Sequence, residues 1–165
     1  MAEVGHLRIV DGATWLAALP PSVVRTADRG ETIRTMLKDI PLPPGFDARQ
    51  IPGAALVRDR YQLGAAVTGT VACEWVARWW RARQAGDTTV VNQAVAAMAT
   101  ATRWPVLAQM RQGEWPATLI GCARQMPSGR LSLSDVNGGL GCAGEWHIKL
   151  PGAKAPGGGF RAAGS

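Results

Sequence analysis

The sequence predicts a mainly α fold: a bundle of five or six helices around a long central helix (59–86), with a short C-terminal β hairpin or loop and a disordered tail. Three observations predict it. From Val71 the apolar residues come in adjacent pairs four apart: Val71 and Ala72, Trp75 and Val76, Trp79 and Trp80. Two neighbouring columns of this kind give a helix an apolar face wide enough to meet two partner elements. Ile33, Met36, Leu37 and Ile40 form a second stripe at i, i+3, i+4, i+7. Prolines and glycines then cut the chain into helix-length pieces, as at Pro20-Pro21, Pro52-Gly53, Trp104-Pro105 and Pro127-Ser128-Gly129.

Taken in order, His6-Leu7-Arg8-Ile9-Val10 alternates like a short edge strand. Asp11 caps a short helix that carries Trp15, Leu16 and Leu19 on one side and stops at Pro20-Pro21. Asp28 and Glu31 have capping-box spacing at the head of the Ile33–Ile40 stripe. Pro41 to Phe46 is a stiff extended connector whose Leu42 and Phe46 are expected to pack on the helices. Asp47 caps a single turn that Pro52-Gly53 ends.

The central helix closes at Gly86, a C′ residue, and Asp87 caps the next helix, expected to reach about Thr102. Ala65, Gly69 and Cys73 make a small-residue row along the central helix. Leu63 to Cys73 is only eleven residues without a charge, whereas a membrane span needs ~20. Pro105 and Pro116 each start a further helix, the latter running to Met126. Leu131-Ser132-Leu133-Ser134 alternates like a strand, Asn137-Gly138-Gly139 reads as a turn, and 142–150 as a return strand. The domain reading is one helical domain over 1–150 (helical core about 11–127, strand and turn segment 128–150), then a Gly/Pro/Ala-rich tail over 151–165.

The net charge is +6, with arginine supplying fifteen of the eighteen basic residues. Charge of this size suits a nucleic-acid partner only if it clusters on one face. The cluster to consider is Arg78-Trp79-Trp80-Arg81-Ala82-Arg83, where Arg78, Arg81 and Arg83 interleave with Trp79 and Trp80. An exposed tryptophan there would stack on a base or a sugar ring; a buried one belongs to the core. Glu74 lies in an apolar stretch four residues before Arg78, the favourable order for a helical ion pair. Burial would instead raise its pKa toward that of a general acid.

The cysteines number three: Cys73, Cys122 and Cys142. One bridge leaves a free thiol, and both Cys73–Cys142 and Cys122–Cys142 would staple the C-terminal segment to the helices, a constraint worth ~3–4 kcal/mol. Three reduced, buried cysteines are the alternative. Cys73 and Cys142 are carried forward as the candidate pair. Zinc is not expected, because Cys142 and His147 have no Cys-x-x-Cys or His-x-x-x-His companion. Asp135-Val136-Asn137-Gly138-Gly139 starts like a calcium loop but lacks the later acidic ligands. No cofactor motif, phosphate-cradling glycine loop or nucleophile–histidine arrangement is present.

A series of motifs carries a resemblance: IPLPPGFD (40–47), Y-x-L-G-A-x-V-x-G (61–69), C-E-W (73–75), AGD (85–87) and W-P (104–105). Over about residues 30–112 the chain resembles the uncharacterised extracytoplasmic domains of actinobacterial membrane proteins, in which a transmembrane helix precedes the domain. The resemblance implies architecture and compartment and carries no catalytic residues.

The function expected is therefore a non-enzymatic binding or sensing module, the cell-envelope-facing domain of a membrane-associated protein. Its partner would be an envelope component or a protein. One alternative is a cytoplasmic nucleic-acid-associated protein using Arg78, Arg81 and Arg83. A second is a hydrolase with Glu74 as general acid. Localisation is expected to be extracytoplasmic for an excised domain and cytoplasmic if Met1 is the native start.

Overall fold

The structure, a computed structural model, describes residues 11–53, 58–132 and 134–142. It is mainly helical. Helix α1 spans Gly12–Ala17, α2 Arg29–Leu37, α3 Arg60–Ala85, α4 Thr88–Ala99, α5 Pro105–Gln109 and α6 Trp115–Gln125. Two-residue strands β1 (Val23–Val24) and β2 (Arg58–Asp59) pair antiparallel, with Val23 opposite Asp59.

Helix α3 is the axis of the molecule. Its 26 residues give a rod of ~39 Å. Both ends are set by local chemistry. The Asp59 carboxylate accepts the Gln62 N–H at 2.7 Å. At the other end Gly86 sits in the left-handed region at φ 71°. The Gly86 N–H donates to Arg83 O, and the Asp87 N–H reaches back to Ala82 O at 2.9 Å. That double closure is the Schellman motif, and only glycine takes its turning position without strain. Asp87 then caps α4 by accepting the Val90 N–H, so α3 and α4 form a tight antiparallel hairpin.

The two apolar columns of α3 are buried as expected except at Trp80, which is half-buried. Val67, Val71, Trp75, Val76 and Trp79 pack with Ala94 and Met98 of α4, Trp104, Leu107 of α5, Leu119 of α6, and Leu140. Tryptophan N–H groups taken into a core favour acceptors, and three here have one, whereas Trp79 Nε1 is buried with no hydrogen-bond partner. Trp75 Nε1 donates to Pro41 O at 2.8 Å, which ties the proline connector to α3. Trp104 Nε1 donates to Thr100 Oγ1 and Trp115 Nε1 to Thr68 Oγ1. The tight contact on this helix lies one residue before the predicted small-residue row and is made by side chains rather than by a neighbouring backbone. A side chain at Gly64 would meet Met110 Sδ at 2.7 Å and Val106 of α5 at 3.2 Å.

Several expectations are corrected. Residues 135–140 form one π-helical turn, DVNGGL, with Val136 and Leu140 buried. The strand expected over 131–134 is absent there among the described residues. Its cause is local: Asp135 accepts both the Ser132 N–H and the Ser132 hydroxyl, at 3.0 and 2.6 Å, and this bends the chain into a turn. The Asp28–Glu31 capping box does not form either. A 3-10 turn over Thr26–Asp28 leads directly into α2, leaves Asp28 with no side-chain capping bond, and frees Glu31 to pair with Arg34. Leu42 is 42% exposed and Trp15 53% exposed, whereas Phe46 packs on the core. Helix α4 ends at Ala99, and a 3-10 turn carries the chain to Arg103. The expected edge strand (6–10), the return strand (142–150) beyond its first residue Cys142, and the tail (151–165) lie outside the described residues.

Candidate functional site

The last third of α3, where arginine and tryptophan alternate, is flanked by two surface grooves. At 100° per residue, Trp80, Arg83 and Gln84 fall on one side of the helix and Arg78, Arg81, Ala82 and Ala85 on the other.

The first groove, of about 310 Å³, is lined by Trp80, Arg83, Gln84, Gly129 and Leu131. Trp80 is half-buried and presents part of its ring here, while Trp79 is 1% exposed and belongs to the core. The two rings meet edge to face, 5.7 Å between centroids, a favoured aromatic geometry. Arg83 is held from two directions. Its guanidinium lies 4.8 Å over the Trp79 ring and Nη1 donates to Gly129 O at 3.1 Å. A cation over an indole face gains from the ring quadrupole.

Gly129 is required twice. Its φ is +68°, and a side chain there would sit 2.5 Å from Arg83 Nη1. The Gly129 and Arg130 N–H groups close α6 onto Met126 O and Gln125 O, the same Schellman closure that ends α3. Thus the end of α6 delivers a bare backbone to the Arg83 guanidinium.

The second groove, of about 320 Å³, is lined by Arg78, Arg81, Ala82, Ala85, Asp87 and Val90. Arg81 is exposed and its Nε donates to Ala77 O at 3.2 Å. Arg78 is half-buried, and its Nε is shielded from solvent with no hydrogen-bond partner. The expected Glu74–Arg78 ion pair is not formed: Glu74 Oε1 is also buried without a partner. Burial pushes the Glu74 pKa up, and the negative charge of Asp47 adds to it. Asp47 itself is committed to Arg49 through contacts of 3.0 and 2.9 Å.

No protein-family model matches this chain, and neither a curated protein nor a solved structure is similar to it.

A disulfide joins Cys73, at the middle of α3, to Cys142, just beyond the π-helical turn, with Cα atoms 5.5 Å apart. It fastens the segment after α6, including Leu131 of the first groove, to the central helix. Cys122 is a buried free thiol. Burial, with the nearby Asp135 charge, pushes its pKa up to about 11, so it is almost wholly protonated at neutral pH and poorly nucleophilic. Among the described residues no three His, Cys, Asp or Glu side chains are grouped to hold a metal ion, and no helix is long and apolar enough to cross a membrane.

Of the five predicted binding residues, then, Trp80 and Arg83 come together in one groove, Arg78 and Arg81 in the other, and the buried Trp79 lies against Trp80 and Arg83 of the first. Sequence reasoning missed Gln84, Gly129 and Leu131. Their one legible sign was the Pro-Ser-Gly stop after α6.

Proposed function

We propose that the chain is a non-enzymatic binding or sensing module facing the cell envelope, with the Trp80–Arg83 groove as its ligand surface. The observation that carries this reading is the Cys73–Cys142 disulfide, because such bonds persist in oxidising compartments and are rare where thiols are kept reduced. The groove adds a ligand chemistry. A half-exposed indole offers a flat apolar platform, Arg83 offers an oriented cation and Gln84 an amide, a set suited to a sugar ring or a short peptide. The resemblance to extracytoplasmic domains of actinobacterial membrane proteins supports the same compartment.

The test has two parts. Intact mass after thiol alkylation, on protein made in an oxidising compartment, is expected to show one reactive thiol on unfolding without reductant and three after reduction. Three thiols without reductant would overturn the compartment argument. Intrinsic fluorescence during titration with soluble envelope glycans and peptides is then expected to report binding that Trp80→Ala abolishes. Salt-sensitive binding to DNA would instead favour the cytoplasmic reading, since phosphate contacts release counterions.

A further inference from the structure

We propose that the Trp80–Arg83 groove is filled by the chain's own C-terminal segment, Glu145 on Arg83 and Trp146 on Trp80, so that an outside ligand binds only by displacing it. This rests on the reading of that groove as a ligand surface and adds how the surface is regulated.

The tether sets the geometry. Cys142 is bonded to Cys73 of α3, with Cα atoms 5.5 Å apart. Trp80 and Gln84 lie seven and eleven residues beyond Cys73. On an α-helix both fall within ~20° of its direction, ~11–17 Å further along the axis. Cys142 is therefore fixed on the line of α3 that runs into the groove. The residues that follow it, Ala143-Gly144-Glu145-Trp146-His147-Ile148-Lys149-Leu150, lie outside the described residues. At ~3.3 Å per residue, Glu145 and Trp146 reach ~10–13 Å from Cys142. The Arg83 side chain leans back toward the start of its helix, which shortens the remaining distance.

The chemistry of the groove matches these two side chains. Arg83 is oriented by Gly129 O and the Trp79 ring, and has no ion pair among the described residues. No carboxylate among the described residues lines the groove. Glu145 supplies one, and a charge-assisted bond to a guanidinium is among the stronger hydrogen bonds. Trp80 is half-buried and leaves part of its ring open to a second indole, while Leu131 closes an apolar wall beside it; aromatic pairs of this kind are favourable. The volume of about 310 Å³ is at the small end of ligand pockets and suits one large side chain with its neighbour. Lys149 is the like charge in the segment, and an extended chain carries it ~13 Å past Glu145, clear of Arg83. A short tether gives an effective concentration in the millimolar range, so a contact that is weak between separate molecules still fills the groove.

The experiment uses the full, oxidised, isotope-labelled chain and follows the Trp80 indole and Arg83 Nε–H resonances. Trp146→Ala and Glu145→Gln are each expected to move both, and to leave the Trp115 indole, bonded to Thr68 Oγ1, in place. An acetylated peptide of residues 143–150 is then added. It is expected to bind the Trp146→Ala chain with a dissociation constant of ~1 mM and to return Trp80 toward its original position. The unaltered chain should take the peptide about threefold more weakly or worse, because the tethered segment competes. The proposal is overturned if Trp80 and Arg83 stay unmoved in both variants, if the peptide binds both chains equally, or if a Glu145→Gln peptide binds as tightly. Titration of both chains with soluble envelope glycans separates this from the functional reading. Peptide binding without glycan binding would sink the envelope function and leave self-occupancy standing. Glycan binding of equal strength to the unaltered and Trp146→Ala chains would sink self-occupancy alone.

Discussion

At Glu74 a carboxylate is carried partway into the protein with Oε1 unpartnered, and burial raises its pKa above the 4.5 of an exposed glutamate. The sign of the consequence follows from proton linkage. Between the unfolded and the folded pKa the native state binds more protons, so stability falls as pH rises through that window. This site's contribution is fully present below about pH 4.5 and lost above the folded pKa. Glu74→Gln should therefore flatten the pH dependence, leaving stability unchanged near pH 4 and raising it at pH 7. Urea midpoints of both proteins at a series of pH values between these would check it, and a flat difference across the series would show that the carboxylate ionises freely. The same variant bears on hydrolysis, since loss of a discovered hydrolytic activity in Glu74→Gln would return that alternative.

Among the elements, α3 was the most legible, because its limits are set within a few residues of each end. The Asp59 cap and the Gly86 closure follow rules of local backbone chemistry, and the paired columns named its buried face. Asp59→Ala removes the bond to the Gln62 N–H and should cost about 1 kcal/mol, read from the denaturation midpoint with an unchanged slope. Other elements were hidden for stated reasons. Strands β1 and β2 are two residues each, too short to show a period. Leu131-Ser132-Leu133-Ser134 does show the strand period, but Ser132 and Asp135 bond to each other and fold the chain. In the candidate site, neighbouring positions 79 and 80 were equally apolar, and only contacts from distant chain decide which ring is buried. Arg83 meets a glycine 46 positions away, a pairing no local pattern encodes.

For the molecule as a whole, the Cys73–Cys142 bond closes a loop of 69 residues, which the chain-entropy model values at about 4 kcal/mol. Reduction should lower stability by roughly that amount, measured as a shift of the guanidinium midpoint with and without a phosphine reductant. Cys122→Ala should leave the size of that shift unchanged, because Cys122 is the thiol outside the bridge. A shift near zero would mean that the segment after α6 holds its place by packing alone. The bridge also determines how the protein bears mechanical load. A pull on the chain from positions before Cys73 and after Cys142 passes through the sulfur bridge and bypasses everything between, including α4, α5, α6 and both grooves. About 240 Å of contour length is thereby withheld from extension. Under tension the oxidised molecule would unravel its first two helices and the part of α3 before Cys73, and keep both grooves inside an unstretched covalent ring.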